Sequence, residues 1–365
     1  MTTYRGAGHT VRLFGVVLLV LLGTGCDSGG NPGFDVDQSR GWIVGASVGD
    51  GYGVVLHTVN GGKTWLRQGG PGMIPDADLI DIRAIDADKA WAVGAKSGGY
   101  GVILRTWDGG NTWERQGDGT MIPDVDLCGI GVVNQTTAWV VGEKGAILFT
   151  SDGGRTWTVQ RAPGVLTPAS LYVVSPADKN TAWIIGDNDG GYATIFHTSD
   201  GGAHWDRQGT AATVKAGGLI DVSAVDKQTA WAVGVDQTII KTTDGGLNWN
   251  TQQTSVPSAG PHVNGVCALD ADHAWAAVDH DVMEYTTDGV HWNTMRIPWT
   301  VANGFHLIDV SALDMKTLWV TGVNFTGRSP FGEILFTKDG GDTWEQQTCP
   351  VDSMLRRVSF VGSPK

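Results

Sequence analysis

The stretch LIDVSAVDKQTAWAVGVDQTIIKTTDGGLNW, residues 219–249, decides the fold, because it is one copy of a pattern the chain writes seven times. It opens on an apolar run from Leu219 to Val225, continues through Ala230-Trp231-Ala232-Val233 and Thr238-Ile239-Ile240-Lys241, and ends in Asp244-Gly245-Gly246 with Trp249 behind it. Short apolar segments separated by Asp, Gly and Asn read as strands joined by tight turns. The Asp-Gly-Gly suits a hairpin, since Asp accepts backbone N–H bonds and glycine takes positive φ without strain.

Matching turns occur at Thr58 to Trp65, Thr106 to Trp113, Thr150 to Trp157, Thr198 to Trp205, Thr242 to Trp249, Thr286 to Trp292 and Thr337 to Trp344. Their acid positions are Asn60, Asp108, Asp152, Asp200, Asp244, Asp288 and Asp339. A second tryptophan precedes each, at Trp42, Trp91, Trp139, Trp183, Trp231, Trp275 and Trp319, so 14 of the 16 tryptophans are repeat positions. From each acid to the next repeat's first tryptophan the distance is always 31 residues, whereas from that tryptophan to its own acid it runs from 13 to 20. All length variation therefore sits in one connection per repeat.

The second repeat shows four strands most clearly, at residues 79–85, 90–93, 101–105 and 112–115. Strands apolar on both faces are buried on both sides, as in four-stranded sheets stacked around an axis. The chain is thus expected to be all-β, a seven-bladed propeller. The segment Leu355 to Val361 matches a first strand but has no repeat after it, and the first repeat, starting at Trp42, lacks its first strand. The C-terminal strand should complete the N-terminal blade and remove the open edges, leaving a monomer.

The beginning of the chain reads differently. Arg5 and Arg12 precede an acid-free apolar run from Leu13 to Leu22, and Gly23-Thr24-Gly25-Cys26 follows. This is the pattern of a bacterial lipoprotein signal, with residues 1–25 removed and Cys26 lipidated, and it implies an exported protein anchored to a membrane on its extracytoplasmic side. Residues 26–40 then read as a flexible linker and 41–365 as the propeller. Without the signal the chain carries 23 basic against 38 acidic residues, a formal −15, which argues against nucleic acid as a partner. Cys128, Cys267 and Cys349 fall in repeats three, six and seven and read as small buried hydrophobes rather than a disulfide framework.

Asp-boxes recur in sialidases, other glycoside hydrolases and sorting receptors, where they are a folding device. The chain as a whole most resembles the photosystem II stability and assembly factor family, through Leu-x-Asp-[Ile/Val], Ala-Trp-Ala-Val-Gly and Ile-Leu-x-Thr-x-Asp-Gly-Gly-x-Thr-Trp. The resemblance implies a non-enzymatic scaffold without cofactor or metal, binding a membrane-protein partner during assembly, in some relatives of photosynthesis. One departure is that photosynthetic members present a cluster of arginines on one face, while here only Arg356 and Arg357 stand together.

The competing reading is a glycan-directed propeller, hydrolase or lectin. Arg296-Ile297-Pro298 echoes a sialidase triplet but follows the sixth box instead of opening the first blade. No facing carboxylate pair can be singled out, and Asp187-Asn188-Asp189-Gly190 lacks the later glutamate of a calcium loop.

Strand order puts the loops between second and third strands, and those between blades, on the face opposite the boxes. That variable face is the expected partner-binding surface. Its candidates are Tyr52, Tyr100 and Tyr192 in related insertions, Phe325 and Arg328 in the seventh repeat, and Asp76, Asp78, Asp124 and Asp126 in two near-duplicate blade-to-blade loops. The tyrosines either meet a partner or pack the loop bases, and the acids either attract a basic partner or are solvated turns. Asp81, Asp221 and Asp309 share one position of the innermost strand and read as structural hydrogen-bond acceptors.

Overall fold

Each repeat forms one antiparallel four-stranded sheet, and the computed structural model arranges seven of them as a ring. It describes residues 35–161, 169–210, 213–214, 218–254, 261–298, 305–324 and 331–362. The signal segment, Cys26, Phe325 and Arg328 lie outside these. No helix among the described residues is long and apolar enough to cross a membrane.

The fifth blade runs Leu219–Ala224, Ala230–Gly234, Thr238–Thr242 and Asn250–Thr251 from axis to rim. Its three inner strands are almost wholly buried, because neighbouring blades cover both faces. Tryptophans of the second strands fill the spaces between blades; Trp42, Trp91, Trp139, Trp183, Trp231 and Trp319 are fully buried. Fourth strands are shorter than the sequence suggests. In blade two only Glu114–Arg115 pairs, because Thr112 N is bonded to Asp108 Oδ1 at 2.9 Å and belongs to the turn.

The first blade has the order Leu355–Val361, Arg40–Gly45, Val54–Thr58, Leu66–Arg67, so the last strand of the chain lies innermost beside the first. Arg40 opposes Val361 and Ile43 opposes Val358. Residues before the first strand also pack: Ser39 O accepts Gly61 N at 3.1 Å, and Lys63 pairs with Asp37 at 2.6 Å, both beside the first box.

Innermost strands of adjacent blades are tied by side chains. Asp81, Asp221 and Asp309 accept the N–H of Ile130, Val266 and Val358, each in the next blade, at 2.9 Å. Two positions on, Ser175, Ser223, Ser311 and Ser359 accept Ala224, Ala268, Phe360 and Ala84 N–H at 2.9, 3.2, 3.1 and 3.0 Å. Cys267 fills that place in blade six, facing Ala312 N at 3.4 Å. It is buried in the apolar core, as the sequence suggested, and Cys128 and Cys349 are free thiols.

In blade one the aspartate position holds Arg357. Its guanidinium bonds Asp309 Oδ1 in blade seven and Asp221 Oδ2 in blade five at 3.0 Å each, reaching three blades away past the small Gly265 of blade six. These buried carboxylates hold Arg357 charged against the cost of burying it.

Candidate functional site

The boxes build one face. In each, a threonine hydroxyl accepts the amide of a glycine, as from Gly110 to Thr106 at 2.8 Å, and the aspartate accepts the N–H near the turn's end, as from Thr112. Hydrogen bonds from the backbone and ring of His204 hold Asp200 down to about 2, and those from Thr343 do the same for Asp339. The box carboxylates are consumed in turns and are not free acids.

A glutamine three residues after the box tryptophan completes the device, and sequence reasoning missed it. Gln68, Gln160, Gln208 and Gln347 each donate to a glycine carbonyl of the next box, Gly109, Gly201, Gly245 and Gly61, at 2.6 to 3.0 Å. Gln68 Oε1 lies 1.7 Å from where a Cβ on Gly110 would stand, so only glycine fits there, at φ +81°.

The opposite face carries the connections of variable length. Tyr52, Tyr100 and Tyr192 are half-buried, each under an arginine of its own blade's outer strand: Arg67, Arg115 and Arg207 lie 3.9, 3.8 and 4.3 Å from the ring centroids. Arg115 also donates to Tyr100 O at 3.1 Å and Arg207 to Asp189 Oδ2 at 2.9 Å. The tyrosines thus fasten long hairpins to the rim, far from the axis. The duplicate acidic loops occupy equivalent places: Asp78 accepts Ser47 N and Asp126 accepts Lys96 N, both at 2.9 Å. Asp76 accepts Ser47 Oγ at 2.7 Å, and Asp124 pairs with Lys96 at 3.2 Å. These four acids surround the loops of blades one and two.

The channel mouth on this face is a second group that the sequence reading did not assemble. Each innermost strand starts with a bulge, and its half-buried second residue lies at the mouth: Ile80, Ile220 and Ile308 alternate with Cys128, Tyr172, Asn264 and Arg356. The polar members are held by acids one layer out. Tyr172 OH donates to Asp187, Asn264 Nδ2 to Asp279 Oδ1 at 2.8 Å, and Arg356 to Asp78 Oδ2 at 2.9 Å. His280 and His306 lie with ring centroids 4.8 Å apart and planes tilted by 39°. The signal was the second position of the Leu-x-Asp register, isoleucine in the three blades that carry the aspartate and a different residue in each of the other four.

The mouth suits contact more than covalent chemistry. Burial, with nearby acids, pushes the Cys128 thiol up to about 11, the opposite of an activated nucleophile. Burial raises three carboxyls: Asp309, which is held by Arg357 in the axial network, and Glu284 and Glu333, which lie inside third strands against Thr294 and Asn324. Arg296 sits on an outer strand and pairs with Asp281 at 2.8 Å, so it opens no sialidase pocket. Asp189 is engaged by Arg207, and no group of three or more His, Cys, Asp or Glu among the described residues could hold a metal ion. A polar cleft of about 860 Å³ runs between blades four and five toward the box face, past Arg207, Lys227 and Leu247.

Fold and site define an Asp-box seven-bladed propeller with a structured box face and a variable loop face. Residues 120–215 match the family model described as photosynthesis system II assembly factor YCF48. Among solved structures, the chain is similar to "YCF48 bound to D1 peptide" at 20% identity and a TM-score of 0.56, covering 74% of this chain and 82% of that one. YCF48 from Cyanidioschyzon merolae is similar at 20% identity, with a TM-score of 0.56 and coverage of 76% and 86%. A GH74 enzyme of Niastella koreensis matches at 11% identity and a TM-score of 0.54, covering 89% of this chain and 60% of that one. No curated protein matches the sequence significantly. The chain is accordingly a seven-bladed propeller that is similar to the photosystem II assembly factor family over residues 120–215.

Proposed function

We propose that this protein is an exported, lipid-anchored binding scaffold whose loop face receives an extended segment of a membrane-protein partner during assembly. The observation that carries this reading is the mouth itself: three isoleucines alternating with polar groups that outer acids hold in place. Apolar pockets beside fixed polar groups suit an extended peptide, whose side chains and backbone need both. The match over residues 120–215 includes Cys128, Tyr172 and Asp187 of this region, and a similar propeller has been solved with a peptide bound. The acidic surround favours a partner segment carrying lysine or arginine.

The test is a cross-linking pull-down of the tagged protein from its native membranes, with Tyr172→Ala/Asn264→Ala beside the wild type. Recovery of one membrane protein by the wild type and its loss in the variant, at unchanged Tm, supports the scaffold. Equal recovery by both moves the site off the mouth. Recovery of nothing, with retention on a glycan array, replaces the reading by a glycan-directed propeller.

A further inference from the structure

We infer that the Asp-box face is the membrane-facing side of this protein, lying against the lipid headgroup layer, and that the loop face with its channel mouth points away. The inference rests on the lipid-anchor reading of Cys26 and deepens it.

The first argument is where the chain enters the ring. Asp35 to Ser39 lie beside the first box, tied to it by Gly61 N to Ser39 O and by Lys63 to Asp37. Val36 packs in the apolar cluster that contains Trp65 of that box. Asp35 lies nine Cα-to-Cα steps beyond Cys26, a contour of at most about 30 Å. The blade's six-residue strand Arg40–Gly45 is itself about 20 Å tall, and turns and loops extend it at both ends. To lay the loop face on the bilayer, the tether would have to run the full height of the blade at nearly complete extension. With the box face down it runs no such distance.

The second argument is the distribution of side chains. Leu247 is 83% exposed, Val290 56% and Val59 50%, and all three sit in or beside boxes. Lys63, Arg155, Lys179, Lys227, Lys316 and Lys338 are exposed on the same side, in boxes or in turns between first and second strands. Apolar tips among long basic side chains fit an interface of headgroups and upper acyl chain. Acids share this face as well, the box aspartates bonded within their turns and the exposed Asp88, Asp226, Asp272 and Asp342, so the tether and not net charge supplies the attachment. The opposite face also exposes acids, Asp76 and Asp124, so charge does not separate the two faces.

The experiment uses the lipidated protein in phosphatidylcholine–phosphatidylglycerol vesicles containing a headgroup energy-acceptor lipid. A donor dye is attached at Leu247→Cys or, separately, at Lys96→Cys, with labelled wild type as background. Burial raises the native Cys128 and Cys349 thiols, so labelling at neutral pH favours the introduced site. Several-fold greater transfer from position 247 than from position 96 is the expected result. Equal transfer, or more from position 96, overturns the inference. If mass measurement finds no acyl chain, the anchor reading fails by itself. The orientation is then measured with a hexahistidine tag in place of residues 1–26 on nickel-chelating lipid, where the same ratio is expected and its absence counts against the inference.

Discussion

The two faces of the ring obey different rules. On the box side the same few bonds recur from blade to blade: threonine to glycine amide, aspartate to turn amide, glutamine to the next blade's glycine carbonyl. On the loop side only some blades agree: blades one, two and four share a tyrosine under an arginine, two blade-to-blade loops share an aspartate under a neighbouring amide, and the remaining connections differ. Repetition marks what folding needs, and variation marks where a partner can be specified.

The strongest way to break this division is at the axis, where both sides meet. Arg357→Ala leaves Asp221 and Asp309 buried without their cation, and a loss of about 3–5 kcal/mol in denaturant unfolding is expected. If stability is unchanged, the axial network does not hold the ring shut.

Glu284 tests the rule from the other direction. It lies in a third strand where other blades carry Leu56, Leu104, Leu148 and Leu335, and burial pushes it up to about 7. A raised carboxyl favours the protonated fold, so stability falls as pH climbs from 4.5 through about 7 and stays low above. Glu284→Leu should therefore gain about 2 kcal/mol at pH 8 and much less at pH 5, read from thermal melts at the two values.

A single box should cost less. Asp200→Ala is expected to lower Tm by a few degrees at pH 7 without touching partner recovery. The sign in acid follows from the depressed carboxyls: the contribution of Asp200 and Asp339 is complete above about 4 and is lost as pH falls through about 2. Wild type and Asp200→Ala melts should converge there. The smallest effect on stability belongs to the loop face. Lys96→Ala breaks an exposed pair and should stay within about 0.5 kcal/mol of wild type while changing the salt dependence of partner binding.

The difference between the faces also sets what the sequence could tell. Seven boxes, with a fixed 31 residues from each acid position to the next repeat's first tryptophan, made the blade count and the closing strand legible, since repetition amplifies a weak local signal. The innermost Asp81, Asp221 and Asp309 were legible as acceptors for the same reason. Gln68 and its equivalents carried a readable period too, broken only by Met295 in the sixth repeat, and were overlooked because glutamine has no strong turn or strand preference. Tyr52, Tyr100 and Tyr192 were recognised as a set, but the arginine over each lies 15 residues on, and only the sheet brings the two together. The mouth was illegible because its polar members differ from blade to blade and meet the three isoleucines only once the ring exists.

The order of strands in the first blade has a mechanical meaning. Arg40–Gly45, the strand that continues from the tether, is hydrogen-bonded on both sides, to Val54–Thr58 and to Leu355–Val361. A pull on the N-terminal arm along that strand loads two ladders in shear at once, instead of peeling an edge bond by bond. A pull on the residues before Arg40 is thus carried into the strand that closes the ring.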